Sequence, residues 1–154
     1  MAKNLVVVES PAKAKTVNRY LGEGYKVEAS MGHIRDLPEK TLGVDIDGGF
    51  HPRYKILPKR KELVAKLQKA AQKSQSVLLA ADPDREGEAI CWHLSEVLKN
   101  HNDNIHRILF HEITKDAVKE AFRNKHDLDE DKINAQQARR ILDRLVGYRS
   151  SRLL

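Results

Sequence analysis

The sequence predicts an α/β domain of about four mostly parallel strands with helices on both faces. Two observations carry that prediction. Wholly apolar runs at residues 5–8 and 77–81 read as strands buried on both faces. Longer segments between and after them repeat apolar residues at helical spacing. Such alternation implies a parallel sheet joined by right-handed crossovers.

Taken in order, Leu5-Val6-Val7-Val8 is the first strand, and Ser10-Pro11 reads as an N-cap followed by proline at the first helical position. That helix runs to about Leu21 and Gly22 ends it. Residues 25–30 alternate weakly and give a second strand. Residues 31–58 hold four glycines and three prolines with little periodicity, an ordered loop of a length that is usually functional. Residues 59–73 are helical, with Leu63, Leu67, Ala70 and Ala71 on one face and lysines on the other. After the strand at 77–81, Ile90, Leu94, Val97 and Leu98 mark a helix, in which Trp92 is expected in the core. Residues 107–110 give the fourth strand, Thr114 caps a helix over 116–124, and a last helix starts near Asp131. The last carries Ala138, Ile141, Leu142, Leu145 and Val146 at helical spacing.

The chain has 154 residues, the size of one domain, and its 32% charged and 40% hydrophobic residues are a soluble globular composition. No apolar run approaches the roughly 20 residues of a spanning helix, and the four-residue run near the N-terminus is too short for a signal peptide. Cys91 is the only cysteine, which excludes an internal disulfide and a Cys-rich zinc cluster and points to a reducing cytoplasm. The net charge of +6 makes a polyanionic partner plausible. Basic residues crowd into 55–73 and 139–152, acids into 82–88 and 127–131, a separation that suits a metal site beside a DNA track.

In open parallel sheets, ligands sit outside the carboxyl ends of the strands. Here the strands are followed by Glu9, by Met31-Gly32-His33, by Asp82-Pro83-Asp84-Arg85-Glu86 and by His111-Glu112. Each delivers a carboxylate or an imidazole to one edge. Asp82, Asp84 and Glu86 are the strongest signal, because Mg²⁺ takes one or two carboxylates, keeps waters and shares substrate phosphates. Pro83 biases Asp82 toward extended backbone, from which Asp82 and Asp84 face the same way. The alternative makes Asp82 an N-cap, Pro83 the first helical residue, and Asp84 and Glu86 partners of the helix dipole. It explains less well why Asp82, Asp84, Glu86 and Glu88 crowd into seven residues, where repulsion costs stability unless a cation offsets it. Gly87 lets another backbone approach closely.

Glu9, after an apolar strand and near other carboxylates, is expected to have a raised pKa and to move a proton near neutrality, or else is an ordinary edge glutamate. Lys13 stands in the first turn of a helix that favours anions, or is a solvated lysine. His33 reads as a local hydrogen-bonding residue, and His111-Glu112 as support for the site or a strand-end turn. Arg139, Arg140, Asp143, Arg144 and Arg149 ride on the last helix, with Arg140 and Arg144 on one face. They form either a phosphate-tracking row or a solvated amphipathic face.

These residues also form motifs in order. Val6-Val7-Val8-Glu9-Ser10-Pro11-Ala12-Lys13-Ala14-Lys15-Thr16, Gly32-His33-Ile34-Arg35-Asp36-Leu37-Pro38, Ala81-Asp82-Pro83-Asp84-Arg85-Glu86-Gly87-Glu88-Ala89-Ile90, Phe110-His111-Glu112-Ile113-Thr114 and Asn134-Ala135-Gln136-Gln137-Ala138-Arg139-Arg140-Ile141-Leu142-Asp143-Arg144 resemble those of bacterial type IA DNA topoisomerases. The resemblance spans essentially the whole chain and implies a Rossmann-like TOPRIM fold over residues 1–130. Residues 131–154 would begin the following helical DNA-binding domain. Its Asp-x-Asp motif with an upstream Glu is shared with primases, type II topoisomerases and small nucleases, while the flanking runs are specific to the type IA branch. Arg152 departs from the proline usual there.

The resemblance implies that Glu9 moves a proton to or from the leaving 3′-hydroxyl and that Lys13 stabilises charge on the scissile phosphate. It implies that Asp82, Asp84 and Glu86, with Glu9 beside them, hold Mg²⁺, and that His33, Arg140 and Arg144 contact the strand. The implied partners are single-stranded or negatively supercoiled DNA and the remaining domains of the same enzyme. The implied setting is a bacterial cytoplasm, at the nucleoid, with no membrane and a monomeric fragment. None of Tyr20, Tyr25, Tyr54 and Tyr148 stands in the family's catalytic-tyrosine motif, so the nucleophile is expected on another domain and the fragment alone is expected inactive. The competing expectation is a stand-alone metal-dependent nuclease or a primase-like nucleotidyl-transfer domain. An end inside a basic amphipathic helix is expected of a piece rather than a finished protein.

Overall fold

The computed structural model describes residues 4–37, 43–45 and 51–153, without the side chains of 44, 45, 51 and 148–153. The elements run β1 (Asn4–Val8), α1 (Pro11–Tyr20), β2 (Tyr25–Ala29), β3 (Arg35–Asp36), β4 (Val44–Asp45), β5 (His51–Pro52) and β6 (Lys55–Ile56). Then come α2 (Lys61–Gln72), β7 (Ser76–Leu79), α3 (Arg85–Leu98), β8 (Ile105–Arg107), α4 (Lys115–Arg123) and α5 (Glu130–Leu153). The main sheet has the order β2-β1-β7-β8 and every pair is parallel, as the strand–helix alternation predicts. All four carboxyl ends therefore meet one edge.

Because side chains alternate across a strand, the apolar runs supply two cores at once. Leu5, Val7, Val77 and Leu79 pack against α2 and α3 residues such as Leu67, Ile90 and Leu94. Val6, Val8, Leu78 and Ala80 pack against Val17 of α1 and Val118 and Phe122 of α4. Ser10 caps α1 by accepting from the Lys13 N–H at 3.2 Å, with Pro11 at the first position, and Thr114 does the same for α4. Gly22, just past α1, takes φ 73°, the left-handed conformation glycine tolerates best.

The fourth strand lies at 105–107 rather than the expected 107–110. Its ladder runs only from Val77↔Ile105 to Leu79↔Arg107 because β7 ends at Leu79. Ile108 and Phe110 are buried beyond the ladder, so their apolarity reports the core and not the strand. The helix expected from residue 59 opens as a 3-10 turn, Pro58–Arg60, before α2. The long loop carries two short antiparallel pairs, β3 with β6 and β4 with β5. Trp92 is half-buried rather than core, and it edges a cleft with Tyr54 and His93.

Candidate active site

Three loops at the carboxyl edge meet around one lysine. Lys13, one helical turn after Glu9, is only 7% exposed, and its Nζ lies 2.8 Å from Glu9 Oε1 and 2.9 Å from Asp82 Oδ1. The same ammonium stands 5.0 Å from the centre of the Phe110 ring, a cation–π contact. Glu9 is thus paired with a buried cation, and the surface-lysine alternative for Lys13 is excluded by its burial. Glu9 Oε2 also accepts from the Asp82 N–H at 2.7 Å.

The other side of the Asp82 peptide is gripped by a residue the sequence reading did not single out. Arg107 is fully buried at the end of β8, and its Nη2 donates to the Asp82 carbonyl at 2.6 Å. Its Nη1 donates to the carbonyls of Ala81 (2.7 Å) and Ile108 (2.9 Å), and its Nε to Glu88 Oε1 (2.6 Å). Glu88 is 2% exposed and its second oxygen accepts from the Asp129 N–H at 2.8 Å. Glu88 therefore turns inward to neutralise Arg107 and is not one of the crowded surface acids. Gly87 completes the arrangement: a Cβ there would fall 1.9 Å from the Asp82 carbonyl oxygen. Only a glycine lets α3 pass this close.

The acids fan out. Asp84, not Asp82, is the N-cap of α3, with extended backbone (φ −122°, ψ 179°) and Oδ1 accepting from the Gly87 N–H at 2.6 Å. The helix starts at Arg85, so the alternative that made Pro83 its first residue fails. Glu86 is 69% exposed with Oε1 3.5 Å from His33 Nε2, and Asp82 is 63% exposed toward Lys13. Among the described residues no three His, Cys, Asp or Glu side chains come together as a metal cage. Mg²⁺ needs only one or two carboxylates beside water and phosphate, and exposed Asp82, Asp84 and Glu86 are hard oxygen donors of that kind. The donor set fits in chemistry.

His33 is carried by a turn in which Met31 (φ 59°) and Gly32 (φ 80°) both lie in the left-handed region. A methionine there is strained, and the turn is held by the Gly32 N–H donating to the Glu9 carbonyl at 2.8 Å. Behind it, Arg35 Nε donates to His93 Nδ1 at 3.0 Å while its guanidinium lies 5.0 Å from the Trp92 ring and 5.3 Å from Tyr54. Burial, then the neighbouring Arg35 and His33 charges, push His93 down to about 3, so it is neutral. Burial likewise pushes the Cys91 thiol up to about 11, an unreactive core residue.

The arginines of α5 reach this edge. Arg140 makes a two-pronged pair with Asp36, Nε to Oδ1 at 2.9 Å and Nη2 to Oδ2 at 2.8 Å. Burial alone would raise the Asp36 pKa, but the Arg140 hydrogen bond, the Leu37 N–H and the nearby positive charge together hold it below the usual range. Arg144 Nη2 lies 3.5 Å from the next carbonyl, Leu37 O. Arg139 and Asp143 line a cleft of about 420 Å³ together with Asp84, Glu86 and Arg140. Arg149 is on α5, but its side chain is outside the described residues, as is that of Arg152. His111 and Glu112 line a separate cleft on the α4 side.

Residues 4–113 match the family model described as Toprim domain. The chain belongs to the Toprim domain family. This Toprim domain is similar to full-length topoisomerase I from Thermotoga maritima, with 49% identity and a TM-score of 0.87 over 94% of the chain. It spans 24% of the length of that protein. The family match covers the sheet and the Asp82–Glu86 loop, whereas the structural likeness extends further along the chain.

The residues that hold the loop from behind, Arg107 and Glu88, had one sequence signal. An arginine that opens the expected strand at 107–110, ahead of Ile108-Leu109-Phe110, needs a carboxylate partner if it is buried. The Arg35–His93–Tyr54–Trp92 cluster had none, because its members come together only through the fold.

Proposed function

We propose that this Toprim domain is the metal- and proton-managing half of a type IA topoisomerase active site. It supports cleavage and religation of one DNA strand by transesterification, with the nucleophilic tyrosine supplied from outside this chain. The observation that carries the reading is Lys13 Nζ seated between Glu9 and Asp82 at the carboxyl edge of the sheet. A buried ammonium there is set to meet a phosphate oxygen as negative charge develops on it. Glu9, within reach of that ammonium, is placed to exchange a proton with the departing 3′-hydroxyl. The rigid Asp82 peptide keeps both groups in register.

Asp82, Asp84 and Glu86, with Glu9 at the margin, would hold Mg²⁺. Bound there, the ion supplies neutralising charge for phosphate oxygens. His33, Arg139, Arg140, Asp143, Arg144 and Arg149 bound the strand's path; of these, Arg140 serves by keeping Asp36 and α5 in place as well as through its remaining donors. Residues 131–154 would begin the next, helical domain. The remaining partners are single-stranded or negatively supercoiled DNA and the other domains of the enzyme. No helix among the described residues is long and apolar enough to cross a membrane, and we place the protein in the bacterial cytoplasm at the nucleoid, with this chain monomeric.

The test is Mg²⁺ titration of the chain followed by NMR, beside incubation with an end-labelled single strand. Mg²⁺ should shift the amides of Asp82, Asp84 and Glu86, and Asp84→Asn should weaken the response. The labelled strand should stay whole. Undiminished binding by Asp84→Asn would overturn the metal assignment, and metal-dependent cleavage without a covalent adduct would make the domain a nuclease instead.

A further inference from the structure

One segment of this protein carries a larger net positive charge than the whole chain. Between residues 53 and 73 there are eight Lys and Arg and a single acid, Glu62. The rest of the chain holds twenty basic against twenty-one acidic residues, so without this segment the net +6 becomes −1. The arginines of α5 share their helix with Glu130, Asp131 and Asp143, and the lysines of α4 alternate with Asp116 and Glu120. α2 itself carries a single acid, Glu62, and borders one more, Glu28 on β2.

The fold turns that segment into a continuous row. Val64, Leu67, Ala70 and Ala71 face the core, which leaves Lys61, Lys66 and Lys69 of α2 exposed, with exposed Lys59 just before the helix and Lys73 just after it. α2 lies toward the free edge of the sheet, because Lys66 Nζ is 3.3 Å from Glu28 Oε2 on the edge strand β2, where exposed Lys26 adds one more charge. As the crossover leading into parallel β7, α2 runs opposite to the strands, so its first turn is at their carboxyl edge. Arg60 fixes that end by donating from Nη2 to the Met31 carbonyl at 3.0 Å, in the turn that also binds Glu9. The row thus starts at the rim of the active-site edge and leads down the flank over roughly 18 Å, the length of a 12-residue helix.

We infer that this face of α2 is a second DNA-binding surface, one that tracks the phosphate backbone of duplex DNA lying outside the catalytic groove. Charge complementarity selects a polyanion. The choice of duplex follows from what the face lacks: single-strand sites combine basic residues with aromatic platforms for the bases, and the exposed face of α2 offers Lys, Gln, Ala and Glu but no aromatic ring. Contacts of this kind position a protein without reading sequence.

The experiment measures binding of a short blunt duplex by fluorescence anisotropy across a salt series. It compares the chain with Lys66→Gln/Lys69→Gln/Lys73→Gln and with a charge-matched control on the opposite layer, Lys115→Gln/Lys119→Gln/Lys125→Gln. Glutamine is close to lysine in helix propensity, and circular dichroism confirms that both variants fold. The α2 variant should bind about tenfold or more weakly at low salt and lose about 2 to 3 from the log–log salt slope, close to 0.9 per phosphate contact. The control should keep its slope. Equal losses in both variants would show a mere net-charge effect and overturn the proposal, as would absence of duplex binding by the parent chain at low salt. The Mg²⁺ titration followed by NMR reads the metal assignment and the salt series without Mg²⁺ reads this surface, so failure of the one and failure of the other are read separately.

Discussion

At the scale of single residues, the carboxyl edge is held both by side-chain pairs around Lys13 and by grips on the main chain of Asp82. The Asp82 peptide is fixed by Glu9 on its N–H and by Arg107 on its carbonyl, and Gly87 gives it room. His93 is held instead by a side chain, Arg35, and it makes a pH-dependent prediction. Its Nδ1 accepts from Arg35, which requires the neutral ring, and burial holds its pKa near 3 against an ordinary 6.5. The folded pKa is depressed, so between these values the unfolded chain binds a proton that the folded chain refuses. Stability is therefore full above about 6.5 and falls as pH drops toward 3, by at most about 1.4 kcal/mol per pH unit from this one group. His93→Gln keeps an acceptor for Arg35 without the titration. Urea midpoints measured from pH 7 to 4 should fall more steeply for the parent than for the variant; parallel curves would show that His93 protonates freely in the fold.

At the scale of elements, the alternation of strands and helices was legible because each apolar run is long enough to serve both faces of the sheet. The Asp82–Glu86 loop was legible because a strand end followed by several carboxylates has few other uses. What could not be read was which of those acids faces out. Glu88 differs from Glu86 only in its helical phase, and its partner Arg107 is brought beneath it by β8, nineteen positions later. The edge of β8 was misplaced for a related reason, since burial of Ile108 and Phe110 continues after the ladder has ended. The Glu88–Arg107 pair ties α3, β8 and the approach to α5 into one unit, because Glu88 also accepts from Asp129. Glu88→Gln leaves a buried guanidinium without its counter-charge and should cost about 3 kcal/mol or more. Removing both charges with Glu88→Leu/Arg107→Met should cost less than the two single changes summed. A denaturant double-mutant cycle reads that coupling, and additive losses would mean that the pair is not the tie described.

At the scale of the whole molecule, the proposed function divides a reaction between this chain and groups outside it. The carboxyl edge gathers a buried ammonium, several carboxylates and an imidazole, and the tyrosine that comes nearest among the described side chains, Tyr54, lines a cleft with His33 and Arg140. Tyr20 and Tyr25 pack in the layer of α1 and α4, the latter with its ring 5.7 Å from Phe122. Tyr54 is edge-on to His93 at 4.6 Å and to Trp92 at 5.7 Å, and burial, then the Asp36 charge, raise its pKa, which makes its oxygen a poorer nucleophile. Charge on the flank of α2 can hold DNA near this edge, but holding a strand does not cut it. Given the proposed division, the chain incubated with negatively supercoiled plasmid and Mg²⁺ should retard it at low salt and leave its linking-number distribution unchanged. Gel electrophoresis after removal of protein decides the matter. Relaxed topoisomers, or a protein-linked broken strand mapping to Tyr54 or Tyr148, would show that the domain carries its own nucleophile and that the division is wrong.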